Sequence, residues 1–133
     1  MIFDRNNSLE SLEDSVWDEP EFQSSLTIRC HELRKKKLKD FSAGDLRVMI
    51  GQSISLEYLV PVALETLVKN PFIEGDFYNG DLLISVLKID KQFWSQNEEL
   101  LFELKDILSS VTYTIEETIP IINDLLKDYD IPV

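Results

Sequence analysis

The sequence predicts an all-α protein, a single-domain bundle of six or seven mostly short helices spanning residues 1–133. Three observations predict it. Apolar residues recur at three- and four-residue spacing in one segment after another. No segment alternates with period two for long enough to make a confident strand, and only four glycines interrupt the 133 residues, so the gaps between periodic stretches are short. A chain of this length is expected to bury about two-thirds of its unfolded surface around one core. Its 44% hydrophobic and 10% aromatic content is too rich for disorder. A mean hydropathy of -0.11 and the lack of an apolar run near about 18 residues argue against a membrane span.

Each element has its own justification. Residues 1–23 are expected as a loosely packed acidic N-terminal arm, with a helical piece from Ser8 to Trp17 that Leu9, Leu12, Val16 and Trp17 pin to the body and Pro20 ends. A helix is expected to start at Ser24 or Ser25, to face Leu26, Cys30 and Leu33 inward, and to finish in RKKKLK, where cations suit the negative end of the helix dipole. Ser42 with Asp45 resembles a capping pair ahead of Leu46, Met49 and Ile50, a stripe that stops near Gly51. Leu56, Leu59, Val60, Ala63, Leu64 and Leu67 then form one continuous apolar face. Pro61 fits it only if the helix starts late or bends there, and Pro71 closes the segment. Leu82, Leu83, Val86 and Leu87 predict a short helix from Asn79. Asn97, with Glu98 and Glu99, opens a long one carrying Leu100, Leu101, Leu104, Ile107, Leu108 and Val111. Thr114 and Glu117 predict a capping box for a last helix with Ile115, Ile119, Ile122, Leu126 and Tyr129 on one face, and Pro120 again demands a bend or a late start.

Charge narrows the range of functions. Twenty-five acids against 13 bases give a net charge of -12. Residues 1–23 carry seven acids and one base, residues 24–48 three acids and seven bases, and residues 49–133 fifteen acids and five bases. Such a field repels phosphate backbones and steers basic proteins inward, so direct nucleic-acid binding is not expected. The run from Arg34 to Lys39 reads as a solvated helix end, for it lacks the interleaved aromatics of a nucleic-acid patch. The start MIFDRNNSLE has no basic, apolar and small-residue succession of a secretory signal, and the single cysteine, Cys30, makes no internal disulfide. A cytoplasmic protein is expected.

The stretch EGDFYNGDLL, residues 74–83, is where chemistry would be sought. Aligning Gly80 with the sixth position of a calcium loop puts Gly75, Phe77 and Val86 where acids are required, so that reading fails. The glycines have neither dinucleotide nor Walker spacing. What remains is a double turn: Gly75 at positive φ, Asn79 capping the next helix, Asp81 in its first turn, and Phe77 and Tyr78 either locking the loop to the core or anchoring a basic partner. His31 has no sequence partner that defines a catalytic or metal site, no nucleophile motif is present, and Glu98, Glu99, Glu116 and Glu117 sit at expected helix starts. No enzyme activity, cofactor or metal is expected.

Residues 45–94, DLRVMIGQSISLEYLVPVALETLVKNPFIEGDFYNGDLLISVLKIDKQFW, resemble the immunity proteins of bacterial contact-dependent growth inhibition systems. The resemblance lies in the succession DLRVMIGQ, LEYLVPVALE, NPFIEGDFYNGDLL and a helix ending in FW; it extends loosely upstream through residues 19–46 and fades beyond Trp94. It implies an inhibitor that binds the toxic C-terminal domain of a delivered surface protein. The partner would be a cognate toxin domain, basic and in the nuclease class if the acidity here is complementary. Candidate contact residues are Glu74, Asp76, Phe77, Tyr78 and Asp81 in the loop, and Glu98, Glu103, Asp106, Glu116, Glu117 and Asp124 in the last helices. Two other readings stay open at this point: an acidic helical adaptor docking on another basic protein, and a small hydrolase built around His31.

Overall fold

The computed structural model describes residues 2–21 and 23–129. Residues 1, 22 and 130–133, some of them in the expected arm, lie outside the described residues. Eight α-helices occur in order: α1 (Leu9–Glu13), α2 (Ser25–Lys35), α3 (Ala43–Gly51), α4 (Leu56–Lys69), α5 (Asp81–Leu87), α6 (Lys91–Ser95), α7 (Glu98–Tyr113) and α8 (Ile119–Leu126). Three-ten turns occupy Leu38–Asp40 and Lys127–Tyr129. A π turn, Thr114–Thr118, joins α7 to α8 with no non-helical residue, so the described residues form seven α-helical rods. They contain no strand, only isolated bridges pairing Ser8 with Lys37 and Glu74 with Asn79. The all-α expectation is met.

The chain gathers into two compact units, Met1–Phe93 and Trp94–Val133. In the first, α3 is the hub: it packs on α2, α4 and α5, while α1 lies on α2 and α4 on α5. The reason is apolar spacing. Leu46, Met49 and Ile50 of α3, Leu59, Val60, Ala63, Leu64 and Leu67 of α4, and Leu82, Leu83 and Val86 of α5 are all buried, as their periodicity predicts. Helix α3 starts where expected, because Ser42 accepts from the Asp45 amide (3.0 Å) and Asp45 accepts from the Ser42 amide (3.0 Å). Pro61 lies well inside α4 rather than in its first turn. It deprives the Glu57 carbonyl of its helical donor, and Glu57 is an exposed residue.

Several local expectations are corrected. Helix α1 ends at Glu13, well before Pro20, because Asp14 turns left-handed (φ 48°) and its amide bonds back to the Glu10 and Ser11 carbonyls. Leu9 is fully buried, yet Val16 is 69% exposed. On α2, Ser24 caps as expected and Cys30 and Leu33 are buried, but Leu26 faces out. The run from Arg34 to Lys39 is a solvated helix end only in part: Lys35, Lys37 and Lys39 are exposed, but Arg34 and Leu38 are buried. Leu87 of α5 is exposed.

In the second unit, α7 buries Leu104, Ile107 and Val111, with Leu100, Leu101 and Leu108 half-buried. The box expected at Thr114 does not start a new helix. The Thr114 hydroxyl donates to the Ser110 carbonyl (3.0 Å) inside a continuing one. The widened π turn just before Pro120 accommodates a ring that would otherwise clash with the preceding turn, and it absorbs the missing N–H. Ile115, Ile119, Ile122 and Tyr129, expected to face inward, are exposed, and no described residue beyond Val111 is buried. Among the described residues no helix is long and apolar enough to cross a membrane.

Leu59, fully buried on α4, tests the first unit's core. Leu59→Ala is expected to cost about 3 kcal/mol in urea unfolding. A loss below about 1 kcal/mol would mean that α4 does not sit in a close-packed interior.

Candidate functional site

The loop before α5 is organised by one carboxylate. Asp81 is 2% exposed. Its oxygens accept from the amides of Gly75 (2.5 Å), Phe77 (3.0 Å) and Tyr78 (3.4 Å), and Arg47 Nε of α3 lies 3.7 Å away. The same Nε donates to the Gly75 carbonyl (2.5 Å), and the Arg47 guanidinium carries the Phe77 ring at 4.2 Å. The Gly80 amide donates to the Ile73 carbonyl (3.2 Å), closing the loop's base. Helix α5 is capped by Gly80 at φ 94°, a conformation glycine adopts without strain, and not by Asn79, which pairs with Glu74 across the loop. The positive φ expected at Gly75 belongs to Asp76 (φ 87°). Gly75 is needed for closeness instead, since a Cβ there would lie 3.0 Å from Asp81 Oδ1 and 3.1 Å from the Ala43 carbonyl.

A second polar network ties this loop to α2 and α3. Arg29 donates to Asp76 (3.0 Å) and Asp45 (3.2 Å), and Lys36 reaches Asp45 at 2.7 Å. The Asp76 carboxylate rests on Gly44, where a Cβ would come within 2.1 Å of it. Burial works against the charge on both Asp45 and Asp81. For Asp45 the hydrogen bonds from Lys36, the Ser42 amide and Arg29 prevail, and its carboxyl is held below the usual carboxylate value. For Asp81 the amides of Gly75, Phe77 and Tyr78, with Arg47, do the same. Arg29 would be lowered by burial, but Asp76 and Asp45 raise it.

A buried cation escaped the sequence reading. Arg34 is 2% exposed; its guanidinium pairs with Glu13, donates to the Ser15 carbonyl (2.6 Å) and lies 4.5 Å from the centre of the Trp17 ring. Ser55 donates to the same Glu13 oxygen (2.9 Å). This cluster fastens the stretch after α1 to α2 and to the start of α4. Five basic residues among the six from Arg34 to Lys39 read as a solvent-facing run, and only the distant acid at Glu13 would have shown otherwise.

His31 is held by backbone carbonyls. Its ring nitrogens lie 2.9 Å from the Thr27 carbonyl oxygen and 3.1 Å from that of Asp18, and Trp17 stands edge-on at 5.1 Å. Glu10, Glu19 and Glu32 share with it a cavity of about 300 Å³ whose described lining holds no serine, threonine or cysteine. Cys30 is buried, and burial pushes its thiol up, against Arg29. Among the described residues no group of three or more His, Cys, Asp or Glu is placed to hold a metal ion.

The candidate contact residues therefore separate. Glu74, Asp76, Phe77 (70%) and Tyr78 (51%) are exposed, whereas Asp81 is buried and bonded to the loop's own amides. Glu98, Glu103 and Asp106 on α7, Glu116 and Glu117 in the π turn, and Asp124 on α8 are exposed. Residues 98–129 carry eight acids and two bases.

These surfaces define an acidic, all-α protein that offers a rigid polar loop and an acidic helical rod. The chain belongs to the family of CDI immunity proteins, which it matches over residues 11–104. The resemblance read from residues 45–94 is thus upheld, and it reaches about ten residues beyond Trp94. No curated protein and no solved structure matches the chain.

Asp81→Asn keeps the shape but removes the charge that the loop amides and Arg47 share, and is expected to cost about 2 kcal/mol at pH 7. Because the folded-state carboxyls of Asp45 and Asp81 are lowered, the stability they contribute is complete above about pH 4 and is lost as pH falls through their folded values. Urea midpoints from pH 7 to pH 3 should therefore fall less steeply for Asp81→Asn than for the natural chain. Equal acid limbs would remove Asp81 from its organising place.

Proposed function

We propose that this protein neutralises the C-terminal toxin domain of its cognate growth-inhibition protein by stoichiometric binding in the cytoplasm, without catalysis. What carries the reading is membership of the CDI immunity family over residues 11–104. The charge of -12 supports a basic toxin, of the nuclease class, approached without direct contact to nucleic acid or membrane. Binding alone suffices for this task, since inhibitors of DNA-cleaving toxins reach dissociation constants of about 10⁻¹³ M or below.

Recognition would divide into steering and docking. The exposed acids Glu98, Glu103, Asp106, Glu116, Glu117 and Asp124 supply a field for steering. In the loop, Asp76 is paired with Arg29, and Arg47 lies under Phe77, so the local acidity is largely compensated. Glu74, Asp76, Phe77 and Tyr78 are proposed as contact residues, with Asp81 supporting them from inside.

The test is co-expression with the toxin domain encoded immediately upstream. Growth should be rescued, and the two chains should co-purify at one to one. A chain that fails to bind that domain, or that protects cells without binding it, would overturn the proposal. Stopped-flow association should slow steeply with added salt. Reversal of Glu98, Glu103 and Asp106 to lysine should slow it about tenfold at low salt while leaving the circular dichroism unchanged. An association rate indifferent to both would remove charge from the recognition.

A further inference from the structure

The rod formed by α7, the π turn and α8 changes character at Val111. Up to that residue its apolar stripe is buried at Leu104, Ile107 and Val111. The stripe then continues at helical spacing through Ile115 (52% exposed), Ile119 (37%) and Ile122 (45%) to Tyr129 (74%), and Ile121 (62%) and Leu125 (55%) widen it. In α8, IPIINDLL, only Asn123 and Asp124 are polar. A helix apolar around most of its circumference is normally a buried one, and a contiguous run of exposed large side chains marks an interaction site where a single one does not.

Charge indicates what covers it. Residues 98–129 carry eight acids and two bases, and all eight acids are exposed. A second copy would bring the same acidic rod against this one, with repulsion at every flank. The complementary occupant is a basic surface with an apolar centre, in which the aliphatic residues and Tyr129 sit in the middle and Glu116, Glu117 and Asp124 meet cations at the edge. The strip also lies beyond residue 104, where the family match ends.

We infer that the exposed apolar strip of residues 115–129 is the anchor by which this protein grips the basic toxin domain. The inference rests on the neutralisation reading above.

Its test uses the full chain and the purified toxin domain encoded upstream. Ile121→Ala, Leu125→Ala and Tyr129→Ala combined remove exposed side chains only, so the urea midpoint should stay unchanged. The dissociation constant should rise at least about a hundredfold, mainly through faster release. Phe77→Ala with Tyr78→Ala should change it less than about fivefold. If the triple variant binds as the natural chain does, or the loop variant is the one that fails, the anchor lies elsewhere while neutralisation stands. A lowered urea midpoint in the triple variant would show that the strip is covered by the protein itself. A natural chain that sediments as a dimer, and a triple variant that does not, would assign the strip to self-association; both outcomes overturn the inference. A natural chain with no affinity for the toxin domain overturns the neutralisation reading, and this inference with it.

Discussion

The Asp81 carboxylate is the constraint around which the first unit's polar face is arranged. It is desolvated, and a desolvated carboxylate is costly unless its lone pairs are filled by donors held in place. Those donors are three amides of one loop and an arginine from α3, so the charge can be satisfied only if the loop folds back over the start of α5 and α3 lies alongside. Glycine at 75 then follows from crowding by Asp81 and the Ala43 carbonyl, and Phe77 is set outward on the Arg47 guanidinium. The acid-rich loop thus spends its best-placed acid on its own backbone and presents the others.

The same economy recurs around α2. Arg29, Arg34 and Lys36 all come from the basic band, and each is drawn to an acid distant in sequence: Asp45 and Asp76, Glu13, and Asp45 again. The band is an internal counterweight that holds acidic segments onto the first unit. Half of the net charge of -12 belongs to residues 98–129, with eight acids and two bases. Arg34 is buried and Arg29 and Lys36 are held in ion pairs, while the acids of residues 98–129 stand exposed on a chain that belongs to the immunity family.

Much of this was legible in the sequence because apolar periodicity reports directly on burial. The stripes of α3, α4 and α5 and the Ser42–Asp45 cap read correctly for that reason. What periodicity does not carry is partnership at a distance. Nothing local separates Arg34, which is buried, from exposed Lys35, because the difference is made by Glu13 and Trp17. In the loop, the sequence marked a turn but misassigned its parts, since Asp81 can cap amides behind it as readily as it favours the helix ahead. The last helix failed differently. Ile115, Ile119 and Ile122 have the spacing of a core stripe, and spacing cannot distinguish a face buried by its own chain from one left open.

The π turn ahead of Pro120 places one additional residue in the coil between α7 and α8. Each residue of an α-helix advances the azimuth by about 100°. Deleting a single position among residues 114–118 would therefore swing every side chain downstream by roughly a quarter turn without altering any of them. A proline and a loosened coil thus make the heading of the distal segment sensitive to the smallest possible change in chain length.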